Sequence, residues 1–274
     1  MRTLLIVGLL ASRIAAAQNP EWTAPHKPFR VYGNTYYVGT QGLSAILITS
    51  PNGHVLIDGT LAEAAPMIMD HIKELGFRVE DVKLILNSHA HYDHAAGIAA
   101  IQRASGASVA ASEWSANVMK AGKSPADDPQ FGILPDFPPV PNVRVIKDGE
   151  KLNVGPITMT AHFTPGHTPG STSWSWESCE GGRCLEMVYA DSQTPVSADG
   201  FLFTKHNGVE QFQRSFAVLD SLKCDVLMTP HPSASSLFER AEKNALVDPQ
   251  ACHRYVATAR EALAARVKRE TEKP

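Results

Sequence analysis

"NSHAHYDHAAG", residues 87–97, sets His89, His91, Asp93 and His94 within six positions. Ahead of it runs "VKLILNS" (82–88), a short unbroken apolar stretch of the kind that forms a buried strand. Behind it, "AAGIAAIQRASG" (95–106) reads as a helix that stops at a glycine. The motif therefore occupies the turn at the C-terminal end of a strand, before a helix. His89 and His91 are two apart, so in an extended segment both side chains leave on one side. Asp93 and His94 fall at the entry to the helix and address a second position beside the first. Zinc accepts imidazole and carboxylate donors at roughly 2.0–2.2 Å, and a catalytic zinc keeps one position for water. This one stretch is suited to feed two neighbouring metals.

Upstream, "FRVYGNTYYVGTQGLSAILITSPNGHVLIDG" (29–59) is rich in β-branched and aromatic residues, with a hairpin expected from Ala45 to Asp58 around Pro51-Asn52-Gly53. "LAEAAPMIMDHIKELG" (61–76) has helical spacing and closes on Gly76. Downstream, residues 121–143 are proline-dense and aperiodic, a long loop of the kind that carries function inside a compact domain. Strands are expected near 143–147, 157–163, 171–176 and 186–190, a helix near 210–222, a strand near 225–229 and a last helix across 251–269. Both halves run strands then helices, without an internal sequence repeat or a domain linker. The prediction is an α/β chain with two sheets stacked face to face and helices outside, in one domain.

The 274 residues are 43% hydrophobic and 19% charged, an ordinary globular balance. The formal net charge of −3 offers no electrostatic footprint for nucleic acid or for an anionic membrane. "MRTLLIVGLLASRIAAAQN" (1–19) has the three parts of a secretory signal: Arg2, an apolar core from Thr3 to Ala11, and the small residues Ala15-Ala16-Ala17. Its apolar part is far short of the ~20 residues of a membrane span. Residues 1–17 are set aside as a signal peptide, leaving 18–274 as the mature domain, periplasmic or secreted. Losing Arg2 and Arg13 with that segment takes the charge from −3 to −5. Export gives meaning to four cysteines, since disulfides persist in an oxidising compartment. Of the three possible pairings, the glycine turn in "SCEGGRC" (178–184) favours Cys179–Cys184, leaving Cys224–Cys252.

Two further histidines follow expected strands: His167 between Pro-Gly turns in "FTPGHTPGST" (163–172), and His231 in "LMTPHPS" (227–233). His26, His54, His71, His206 and His253 have no partner motif and read as surface or locally hydrogen-bonded residues. Asp58, closing the "LIDG" strand, and His162, five residues before His167, are candidates to support ligand imidazoles from behind. Trp174 and Trp176 alternate on a strand and read as packing.

Taken together, "HAHYDH" (89–94), "PGHTPGS" (165–171), "YADSQT" (189–194) and "PHP" (230–232) resemble the metallo-β-lactamase superfamily, and within it the secreted subclass B3 enzymes. "VYGNTYYVGT", "LIDGT", "DPQFG" and "SCEGGRC" extend the likeness over nearly the whole mature chain. The resemblance implies a four-layer αβ/βα sandwich with two zinc ions per chain at one edge of the sheets. It implies that His89, His91 and His167 hold one zinc and that Asp93, His94 and His231 hold the other. The iron-binding branch has a glutamate in place of His91. Subclasses B1 and B2 have a cysteine ligand where this chain has Ser192. Asp191 supports the site from behind on the B3 reading, and bridges the metals on a glyoxalase II reading.

The implied activity is hydrolysis of the β-lactam amide of penicillins, cephalosporins or carbapenems by a zinc-bound hydroxide, and with it antibiotic resistance. Asp93 would accept the hydroxide's hydrogen bond and later help deliver a proton. No serine lies in a G-x-S-x-G context that would suggest a triad. In the B3 enzymes hydroxyls after the "AD" pair receive the substrate carboxylate, which implies Ser192 and Thr194 here. Gln130, on the long loop, is placed to donate to the carbonyl oxygen. The alternative is a dizinc lactone or thioester hydrolase. The expected partner is a small-molecule antibiotic, with no nucleic acid, no membrane after signal removal, and a monomeric chain.

Overall fold

The computed structural model describes residues 19–272, and the expected signal peptide lies outside them. After a short 3-10 turn at Pro20–Trp22 come strands β1 (Phe29–Tyr32), β2 (Thr35–Tyr37), β3 (Ile46–Ile48) and β4 (His54–Ile57). Then follow helix α1 (Ala65–Glu74), β5 (Val82–Leu86), α2 (Tyr92–Ala95), α3 (Ile98–Ser105), β6 (Ser108–Ala111) and α4 (Glu113–Ala121). A long loop leads to β7 (Val143–Val145), β8 (Lys151–Val154), β9 (Ile157–Phe163), β10 (Thr172–Glu180) and β11 (Arg183–Tyr189). The chain ends through α5 (Gly208–Ser221), β12 (Val226–Met228), α6 (Leu237–Glu242) and α7 (Ala251–Glu272).

One sheet runs β1 to β7 in sequence order; the other runs β12-β11-β10-β9-β8. The β3–β4 hairpin pairs Ile48 with Val55, as the Pro51-Asn52-Gly53 turn predicts. Strand alternation then separates two faces. Ile46, Ile48, Val55, Ile57 and Leu84 meet Met159, Trp174, Trp176 and Met187 between the sheets. Leu47, Leu56 and Ile85 point the other way, onto Ile68, Ile72, Ile98 and Ile101 of α1 and α3. Beyond the second sheet, Val188 and Leu227 pack on Phe212, Phe216 and Val256 of α5 and α7. Each such side chain, fully buried, contributes about 1.5–3 kcal/mol. The result is the four-layer αβ/βα sandwich.

Both disulfides are those favoured from sequence. Cys179–Cys184 bridges the β10–β11 hairpin, and Cys224–Cys252 ties the entry of β12 to the first turn of α7. Among the described residues no helix is long and apolar enough to cross a membrane.

Candidate metal centre

The centre is built from the end of β5. Asp58 lies just past β4, and its carboxylate accepts from the Ser88 N–H (2.8 Å), Ser88 Oγ (2.7 Å), Asn87 Nδ2 (3.1 Å) and Tyr189 OH (2.9 Å). Asp58 and Thr60 both have positive φ, 61° and 54°, a conformation costing a non-glycine residue of order 1–3 kcal/mol. The four donors hold it. Burial pushes the Asp58 carboxyl up to about 6, against the charge of His94 and the donors Ser88 and Tyr189. Between Asp58 and Thr60, Gly59 donates its N–H to the His94 carbonyl (2.9 Å), and Gly97 donates to Thr60 (3.0 Å). His91 enters α2 with extended backbone, and its carbonyl accepts from the N–H groups of His94 and Ala95. The motif's backbone is thus fixed at both ends.

The three-histidine group comes first. His89 Nδ1 bonds Asp191 Oδ1 (2.7 Å), leaving Nε2. His91 Nε2 meets both oxygens of Asp128 (3.1 and 3.2 Å), leaving Nδ1. His167 Nδ1 donates to the Thr194 carbonyl (2.9 Å) with Thr194 Oγ1 at 3.2 Å, leaving Nε2. His89, His91 and His167 each offer one ligand atom, and these atoms lie within 4.8 Å of one another. Gln130 Nε2 sits 3.5 Å from both His91 Nδ1 and His167 Nε2. Burial, reinforced by the neighbouring histidines, holds His89 well below its ordinary value and takes His167 down to about 4. Both rings are therefore neutral, the form that ligates a metal.

A second group adjoins it. His89, Asp93 and His94 also offer atoms within 4.8 Å of one another. Asp93 Oδ2 is 3.1 Å from His94 Nε2, an ion-pair distance without hydrogen-bond alignment, and 3.5 Å from His231 Nε2. Burial alone would raise the Asp93 carboxyl; the charge of His94 beside it holds it well below the carboxylate range. Burial takes His231 down to about 4, helped by His94. Nε2 of His89 and both ring nitrogens of His94 are buried without a hydrogen-bond partner among the described residues. Buried polar atoms are nearly always satisfied. Converging imidazole nitrogens beside an ionised carboxylate are what a divalent cation satisfies, so the donor set fits a metal.

Two supporting residues differ from expectation. Asp58 touches no ligand ring, because its oxygens are taken up by Ser88, Asn87 and Tyr189; it holds the backbone beneath the motif. His162 bonds Ser175 Oγ (2.8 Å) on the next strand, and alternation along β9 turns it away from Ala161 in the inter-sheet core. Asp191 lies behind His89, while burial raises its carboxyl. Ser192 is buried and Thr194 exposed, on the segment after β11. Sequence reasoning missed Asp128, whose position in "DPQFG" gave no spacing cue, and Trp22, whose ring centroid lies 5.7 Å from that of His231.

Comparison with known proteins bears on this geometry. The family model described as "Metallo-beta-lactamase superfamily" matches residues 38–231. A solved structure described as MEM-A1, a subclass B3 metallo-β-lactamase from a soil metagenome library, is 44% identical, with a TM-score of 0.90, covering 92% of this chain and all of that one. The chain belongs to subclass B3 of the metallo-β-lactamase superfamily. Its metallo-β-lactamase sandwich also superposes on the Rm3 metallo-β-lactamase at 53% identity and a TM-score of 0.90, covering 92% of this chain and 97% of that one. A curated N-acyl homoserine lactonase, AttM of Agrobacterium fabrum, is 31% identical over 233 residues, covering 71% of this metallo-β-lactamase chain and 84% of its own.

Proposed function

We propose that this chain is an exported dizinc β-lactamase that hydrolyses the lactam amide of penicillins, cephalosporins or carbapenems. The observation that carries the proposal is the convergence of three ring nitrogens, each turned inward by a partner behind its ring, beside the Asp93–His94–His231 group. His89, His91 and His167 would hold one zinc, and Asp93, His94 and His231 the other. Zinc bound by these residues supplies Lewis acidity toward the lactam carbonyl and a water-derived nucleophile ionised near neutral pH.

The chain's own groups do the rest. The Asp93 carboxylate, held ionised, accepts a hydrogen bond from the attacking water, takes that proton as the new C–O bond forms, and passes it to the departing nitrogen as the C–N bond breaks. The Gln130 amide donates to the carbonyl oxygen as charge builds there. Ser192 and Thr194 receive the substrate carboxylate. Thr194 Oγ1 accepts from His167 Nδ1 (3.2 Å), which leaves its own proton free to donate outward. Asp191 holds the His89 ring, which supports a positioning role over a bridging one. Two disulfides among the described residues support an oxidising compartment.

The lactonase relatives give the second reading its weight. The test is purified, zinc-loaded protein against a chromogenic cephalosporin and an N-acyl homoserine lactone. We expect rapid cephalosporin turnover, abolished by a chelator and restored by zinc. Lactone cleavage with no turnover of any β-lactam would favour the second reading.

A further inference from the structure

We propose that Asp128 is a positioning residue that couples metal occupancy of the three-histidine group to the order of the loop at 122–142. Metal binding and the setting of one cleft wall would then be a single linked equilibrium. The inference rests on the metal reading above and adds a residue that the ligand pattern does not contain.

The geometry is specific to one side chain. The Asp128 side chain is fully buried, and its two oxygens meet His91 Nε2 at 3.2 and 3.1 Å. Oδ1 also accepts the Gln130 backbone N–H at 2.8 Å. One carboxylate therefore ties a ligand ring to the residue whose amide lies 3.5 Å from both His91 Nδ1 and His167 Nε2. A buried carboxylate is costly unless paired. The other two rings of the group are fastened differently. His89 is held by Asp191 and His167 by Thr194, both on the segment that follows β11. His91 alone of the three has its outward nitrogen fastened to the 122–142 loop.

The end of that loop is seated in the core by Phe137 and Val140, whose N–H groups bond the Gly122 and Met119 carbonyls (2.8 Å each), so the part with few other roots is 123–136. Its buried polar side chains are Asp128 and Gln130, whereas Phe131 and Ile133 next to them are 50% and 59% exposed. Asp127 accepts from Trp114 Nε1 (3.0 Å), and the Pro129 carbonyl accepts from the Ala198 N–H (2.8 Å). If the His91 ring turned, Asp128 would lose its ring partner and Gln130 its anchor. A metal that fixes the ring with Nδ1 inward therefore favours the anchored loop, and the anchored loop favours metal by the same factor. Loss of an outer carboxylate behind a ligand imidazole typically costs roughly 10–100-fold in metal affinity.

The experiment compares wild type, Asp128→Ala and Asp128→Asn as full mature chains. Zinc affinity is read by competition with a chromogenic chelator, and amide exchange at residues 130–133 is followed with and without zinc. In the wild type, zinc should slow exchange at the Gln130 and Phe131 amides. In Asp128→Ala, affinity for one of the two zinc equivalents should fall roughly 10–100-fold, and zinc should no longer slow that exchange. Asp128→Asn keeps an oxygen for the Gln130 N–H and should fall between; it carries the same readouts if the alanine variant does not fold. KM should rise in both variants by a larger factor than kcat falls. A simple structural anchor would speed exchange equally with and without zinc, and that result overturns the proposal. So does wild-type zinc affinity in Asp128→Ala. A wild type that binds no zinc would sink the metal reading itself, and this proposal with it.

Discussion

Asp93 stands between His94 and His231, with Oδ2 3.1 and 3.5 Å from their Nε2 atoms, and its isosteric replacement separates charge from shape. Asp93→Asn should lower kcat about 10²–10⁴-fold, the usual worth of a positioned proton-transfer group, with the fold intact by circular dichroism. A variant with wild-type kcat would remove Asp93 from the chemistry. The six proposed ligands were all visible as residue types in recurring strand-end positions. Their supporting partners were visible only in part. Asp191 stood in a motif, but Asp128 is 37 positions from the ring it holds, and no local spacing announces such a pair. His162 shows the converse, since closeness in sequence to His167 did not survive the alternation of a strand.

The junction of β4 with α2 and α3 depends on two glycines in backbone contact. A Cβ on Gly97 would lie 2.0 Å from the Gly59 carbonyl, and backbone on both sides leaves no flexible end to yield. Gly97→Ala should therefore cost about 3 kcal/mol, the upper part of the overpacking range, read as a lowered denaturant midpoint. Wild-type stability there would mean that the junction is looser than its contacts. At the other end of the chain, Glu270 of α7 accepts from the Phe203 and Thr204 N–H groups (3.1 and 3.0 Å) and pairs with Arg266 (2.6 Å). Burial would raise its carboxyl; Arg266 and the Thr204 and Phe203 donors outweigh that and lower it from 4.5. The unfolded chain then binds the proton more tightly. The stabilisation is present above about pH 4.5 and is lost as pH falls through the lower folded value. Glu270→Gln should lower stability by about 1–3 kcal/mol at neutral pH and by less in acid; an equal loss at both would exclude the ionic contribution. Residues 107–121 carried no expected element, yet they form β6 and α4. Ser112 capping α4 and left-handed Gly122 ending it were readable signals. β6, four small residues long, is a strand because β5 and β7 flank it.

Across the whole chain, the two disulfides constrain very different lengths. Cys224–Cys252 spans 28 positions, worth about 3–4 kcal/mol on the chain-entropy account, against about 2 kcal/mol for the five-position Cys179–Cys184 hairpin bridge. Replacing both Cys224 and Cys252 by alanine should lower Tm by roughly 10 °C, a larger drop than the same change at Cys179 and Cys184. The reverse ranking would mean that strain, not loop closure, governs both. The periods of the principal strands and helices, the histidine-aspartate motif and the favoured cysteine pairing were all legible before any fold was known, because each is written in spacings a chain expresses locally. Which nitrogen of each ring faces the centre is legible only once the chain is folded. That choice is made by Asp128, Asp191 and Thr194, groups 27 to 102 positions from the rings they hold, brought into reach by the stacking of two sheets.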